Sequence, residues 1–110
     1  MSKNINIFHL PSPLPSIELF ESLLSTEKVL IERIISTGQI TAPGEWYNQE
    51  TDEWVLLLQG EAELSYEDGE RISLQAGDYL VIPAQVKHRV EYTSDDPPCI
   101  WLAVHIKKSL

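Results

Sequence analysis

The sequence predicts an all-β fold, a sandwich or barrel of short strands. Three observations carry that prediction. Apolar and polar residues alternate with period two, most clearly where Ala62, Leu64 and Tyr66 interleave with Glu61, Glu63 and Ser65. Turn-forming residues recur at close intervals, at Asp68-Gly69, Gly77-Asp78 and Asp95 to Pro98. Apolar runs such as Trp54 to Leu58 are short and read as strands covered on both sides.

The elements follow in order. Leu10 to Ser16 carries Pro11, Pro13 and Pro15, which forbid regular helix and mark an arm. Ser16 then stands at an N-cap position, and Ile17, Phe20, Leu23 and Leu24 recur at helical spacing, so a short N-terminal helix is expected. Residues 1–28 are thus read as a proline-bearing arm with a short helix, and residues 29–110 as the β-barrel. Val29 to Ser36 is apolar on much of both faces. That surplus of apolar surface predicts an edge that a second copy would cover, giving a homodimer with Val29, Ile31 or Ile35 at the interface.

Asp68-Gly69 is a hairpin signal whose loop length must agree with the apolar faces beside it. A two-residue loop would set Leu64 against Ser73. A three-residue loop, Glu67 to Gly69, pairs Leu64 with Ile72 and Ala62 with Leu74, and is the expected one. Tyr79 to Ile82 is a further strand. After Pro83, residues Val86, His88, Val90 and Tyr92 share one face and Lys87, Arg89 and Glu91 the other. Ile100 to Ile106 is the last strand, with Trp101, Ala103 and His105 on one side.

Composition bounds the function. The 110 residues suit a single domain with a real core, and 17 acidic against 8 basic residues give a formal charge of −9. Phosphate backbones and anionic lipid surfaces should repel such a chain, so neither nucleic acid nor membrane is an expected partner. The single Cys99 excludes an internal disulfide or a multi-cysteine zinc site. With no signal-peptide pattern between Met1 and Leu10, a cytoplasmic location is expected. The five glycines sit one to a turn, with no nucleophile elbow or phosphate-cradling loop.

One spaced set stands out: Glu53 and Gly60 with six residues between them, then Gly77, Pro83 and His88. The order and spacing resemble the two short motifs of the cupin family. In the first motif a His-x-His pair precedes the glutamate, and here a three-residue gap puts Tyr47 and Gln49 at those places, a four-residue gap Trp46 and Asn48. Gly44 is off pattern for the leading glycine. In the second motif Gly77, Pro83 and His88 keep their positions, while Gln85 replaces a glycine and Tyr92 an asparagine. The resemblance implies a small single-domain cupin, a jelly-roll β-barrel with the motif residues facing its interior.

In metal-bearing cupins three histidines and a glutamate hold one divalent ion. The resemblance therefore implies a reduced ligand set, Gln49, Glu53 and His88, for an ion such as Fe, Mn, Ni, Cu or Zn. Gln49 offers only a neutral carbonyl oxygen, so affinity should be low. Tyr47, Tyr92 and His105 are candidate pocket-lining residues. A neutral core histidine is an equally weighted reading of His88, and Trp46, Trp54 and Trp101 read as core or pocket wall. Three functions follow in order: a binding module for a small molecule and a metal, a metal-dependent oxygenase, isomerase or decarboxylase, and a non-catalytic scaffold dimer.

Overall fold

Eight strands and no helix make up the computed structural model, which describes residues 5–108. The strands are β1 (Leu19–Ser25), β2 (Val29–Ser36), β3 (Asp52–Gln59), β4 (Glu61–Tyr66), β5 (Arg71–Gln75), β6 (Tyr79–Ile82), β7 (His88–Thr93) and β8 (Cys99–Ile106). They form a five-stranded sheet in the order β1-β2-β8-β3-β6 and a three-stranded sheet in the order β5-β4-β7. The two sheets face each other across the core, as an all-β jelly-roll barrel requires.

Strand parity decides what faces inward. β8 pairs with β2 and β3 so that Ile34 lies opposite Trp101, Leu57 opposite Trp101, and Val55 opposite Ala103. The inner set continues with Leu80 and Ile82 of β6. Val55, Leu57, Ile82, Trp101 and Ala103 meet Ala62 and Leu64 of the smaller sheet in one buried cluster. Each large apolar side chain so removed from water contributes on the order of 1.5–3 kcal/mol.

The expected helix is a strand. Leu19–Ser25 pairs antiparallel with β2, and a bulge at Leu23 lies between the Ser22–Glu32 and Leu24–Ile31 pairs. That extra residue breaks the two-residue period into steps of three and one, which imitates helical spacing. The described residues before β1 form no regular element and fold onto their own chain, while β1 itself is part of the five-stranded sheet. Arg33 donates to the carbonyls of Ile7 at 3.0 Å and His9 at 2.6 Å, and pairs with Glu21 at 2.5 Å. The arm's first four residues lie outside the described residues.

The apolar edge expected at Val29 to Ser36 is not found. β2 is an interior strand between β1 and β8, not an edge, and Ile35 is 1% exposed within one chain. Exposed apolar side chains on this sheet lie at both edges, at Phe20, Leu23 and Leu24 of β1 and at Tyr79 and Val81 of β6, and at Ile106 of β8.

The hairpin between β4 and β5 has the three-residue loop, with Leu64 opposite Ile72 and Ala62 opposite Leu74. Gly69 sits at φ +95° with open space where a Cβ would stand. Gly60, at the corner joining the two sheets, has φ +92°, but a Cβ there would meet Ser94 Oγ at 2.7 Å and Cys99 Sγ at 2.9 Å. Gly69→Val should therefore cost about 1 kcal/mol from backbone strain alone. Gly60→Val adds overpacking and should cost about 2 kcal/mol or more. Denaturant unfolding of both variants checks this, and equal losses would contradict the corner's close packing.

Candidate functional site

A cavity of about 80 Å³ opens at one end of the barrel, between the two sheets. Its position follows from the segment between β2 and β3, which returns along β7. Thr41 and Tyr47 hydrogen-bond the β7 backbone, Thr41 N–H to Val90 O at 3.0 Å and Tyr47 N–H to His88 O at 2.7 Å. Arg89, on the outer side of β7, fixes the returning segment by donating to the carbonyls of Thr41, Ala42 and Glu45. This crossing carries Tyr47 and Gln49 to the cavity although neither lies in a strand.

Five of the six residues expected at the site line this cavity: Tyr47, Gln49, Glu53, His88 and His105. Tyr92 does not. Glu63 pairs with Tyr92 and Leu64 with Val90, so Glu91 is an extra, bulged residue in β7. The alternation that holds for His88 and Val90 reverses beyond it, leaving Tyr92 50% exposed and burying Thr93.

His88 and Glu53 face each other from opposite sheets. His88 Nδ1 lies 3.0 Å from Val86 O, and because a carbonyl only accepts, Nδ1 carries the proton. In the neutral imidazole Nε2 is then a lone pair on the cavity side, 4.0 Å from Glu53 Oε1. Glu53 is 7% exposed, and no hydrogen bond within the described residues reaches its carboxylate. Gln49 Oε1 is also buried with no partner. Three acceptors thus line one cavity, and no hydrogen bond within the described residues reaches any of them. An arrangement of this kind is costly unless something donating or positively charged fills it.

His105 is committed elsewhere. It donates from Nε2 to Glu32 Oε1 at 2.8 Å, and its Nδ1 lies 3.5 Å from Thr51 Oγ1. Two lining carboxylates were missed in the sequence, Glu18 and Glu32. Glu32 had a signal, being the one charge on the Leu30, Glu32, Ile34 face of a strand that is otherwise apolar there. Glu18 is held by a short relay in which Trp101 Nε1 donates to Ser36 Oγ at 3.2 Å and Ser36 donates to Glu18 Oε2 at 2.6 Å. Phe20 of β1 lines the mouth, 53% exposed, opposite Tyr47, whose ring stacks on His88 at 5.6 Å.

Burial pushes the Glu53 carboxyl above its ordinary range, against the opposing pull of His105 and His88, and the Glu32 charge pushes the same way. Burial also raises Glu18, offset in part by the Ser36 hydrogen bond. The Tyr47 phenol is raised by burial and then by the charges of Glu18, Glu53 and Glu45, so it stays protonated and is no anionic ligand. Among the described residues, no group of three or more His, Cys, Asp or Glu is placed to hold a metal ion. His88 and Glu53 are the two strong donors available, with Gln49 a neutral third.

One turn shows how the second motif survives its substitution. Gln85 stands where a glycine is expected, yet it keeps the left-handed conformation, at φ 68°. Its N–H donates to Gln49 O at 2.8 Å, tying the turn before β7 to the segment that carries Gln49. The strain of a non-glycine residue there is of the order of 1 kcal/mol, tolerated at a turn that orients the site.

The family model for the cupin domain matches residues 33–105. The chain belongs to the cupin family. A Ralstonia eutropha protein, assigned only provisionally as a mannose-6-phosphate isomerase, is 39% identical, with TM-score 0.88 over 97% of this cupin and 100% of that chain. A cupin superfamily protein of Desulfitobacterium hafniense is 21% identical, with TM-score 0.70 over 90% of this chain and 95% of that one. A Methanocaldococcus jannaschii cupin with a double-stranded β-helix fold is 20% identical, with TM-score 0.71 over 97% and 93%. No curated protein matches. The latter two likenesses speak to the fold alone. No helix among this cupin's described residues is long and apolar enough to cross a membrane.

The raised Glu53 carboxyl has a consequence for stability. Its folded pKa lies above the unfolded value of 4.5, so the folded protein binds more protons between the two. Stability from this group is fully present below 4.5 and is lost as pH rises through the folded value. Glu53→Gln imitates the neutral carboxyl at every pH. The variant should melt above the wild type at neutral pH, and the gap should close as pH approaches 4.5. A gap that stays constant with pH would contradict burial as the dominant cause.

Proposed function

We propose that this cupin is a binding module for a small molecule, taken up in the barrel cavity at the corner formed by Glu53, His88 and Gln49. The observation that carries the reading is the buried Glu53 carboxylate with no hydrogen-bond partner, beside the free Nε2 of His88. A filled, purely structural barrel interior would satisfy or omit such groups, which argues against the scaffold reading.

The same corner supplies the donors for a divalent ion, held by Glu53 and His88 with Gln49 as the weakest ligand. The Nδ1 hydrogen bond of His88 orients the ring for such a role. A bound ion would supply Lewis-acid polarisation of a ligand oxygen. With His105 engaged by Glu32, the strong donors number two, and uptake should be weak and reversible. Weak retention favours binding over metal-dependent turnover, so the enzyme reading stands second. It would be favoured by turnover that tracks metal content.

Metal analysis after loading with manganese, nickel or zinc and brief dialysis tests the ligand assignment. The wild type should retain a measurable fraction of one ion per chain, and His88→Ala should retain none while melting as a folded protein. Unchanged metal content in His88→Ala would sink the assignment.

A further inference from the structure

The lining of the cavity also says what charge its ligand carries. Glu18, Glu32 and Glu53 all line it, and among the described residues no Lys or Arg does. Of the three, Glu32 is offset by the proton it receives from His105, and Glu18 is steadied by the Ser36 hydroxyl. Glu53 receives no hydrogen bond within the described residues, although it is more than nine-tenths buried and faces the cavity with His88 Nε2 4.0 Å away. His88 turns a lone pair toward the same space, not a proton. The charge inside that no lysine or arginine meets is therefore negative, and His88 Nε2 and Gln49 Oε1 add two accepting atoms beside it. The mouth agrees, because Phe20 and Tyr47 place two aromatic rings where a cation would pass.

Charge also excludes the opposite class. A hexose phosphate dianion would face three carboxylates, with no lysine or arginine among the described lining residues to receive it.

We propose that the ligand of this cavity is a small organic cation, a primary ammonium on a short alkyl stem, and not a phosphorylated sugar. The inference rests on the cavity being a ligand site, as argued above. The ammonium enters between Phe20 and Tyr47, pairs with Glu53, and donates to His88 Nε2 and Gln49 Oε1. These three acceptors match the three N–H groups of an ammonium. Each buried charge is costly alone, and the pairing removes the cost for both. Phosphate selectivity suggested by the provisional name of the Ralstonia protein would not transfer to this chain.

The test is a titration followed by amide and imidazole NMR at constant ionic strength, with a chelator present so that no metal bridges the partners. The probes are propylammonium, 1-propanol as its neutral counterpart, and mannose 6-phosphate. Propylammonium should shift the His88 and Trp101 signals saturably, and the other two should not. Glu53→Gln, its fold checked by the same spectra, should weaken propylammonium by about tenfold or more. Glu18→Gln should weaken it severalfold.

Silence from propylammonium, or mannose 6-phosphate binding as tightly through Glu53, would overturn the charge assignment. In the second case the cavity would still stand as a ligand site. Binding of a probe that is indifferent to both Glu53→Gln and His88→Ala would overturn the site itself.

Discussion

The pairing of β8 with β2 on one side and β3 on the other is the constraint on which the rest depends. Eight consecutive residues of β8 pair with β2, and seven pairs join it to β3. A one-residue slip at either seam would turn Trp101, Ala103 and His105 out of the barrel and expose the core. The same register places Glu53 beside His105 and brings Glu32 within reach of His105 Nε2. Core and site are thus set by one alternation. Apolar residues occupy its middle, and ionisable residues its open end.

That division explains how a cupin can keep its fold while its ligand set changes. Val55, Leu57, Leu64 and Trp101 hold the sheets together whatever stands at positions 47 and 49. Stability resides in the closed part of the barrel, so the open end is free to vary. The left-handed turn at Gln85 illustrates the same independence, since a non-glycine residue holds that conformation here. What the open end retains is one imidazole lone pair, one carboxylate and one amide oxygen, a set of acceptors in search of a donor or a cation.

Much of this was legible in the sequence, for reasons that can be named. Alternation around Leu64 together with the apolar faces of the hairpin was enough to select the three-residue loop, because the wrong register would have buried Ser73 against Leu64. The spacing from Glu53 to His88 singled out two residues that line the same cavity. Two bulges hid the remainder. The extra residue at Leu23 made β1 look helical, which concealed Phe20 and Glu18 as lining residues, and the extra residue at Glu91 turned Tyr92 outward. A bulge leaves little trace in a single sequence, since it breaks the periodicity by which strands are recognised. The pairing of His105 with Glu32 was also out of reach, because it depends on which strands are neighbours.

The central claim is that His88 offers no proton to Glu53, so that the buried corner presents accepting atoms to its ligand. The nitrogen-15 chemical shifts of His88 test it most directly, measured in the free protein in mildly alkaline buffer. The hydrogen bond to Val86 O predicts a single tautomer, with Nδ1 protonated and Nε2 a bare lone pair. A proton on Nε2 in the free protein would give the corner its own donor to Glu53 and contradict the account.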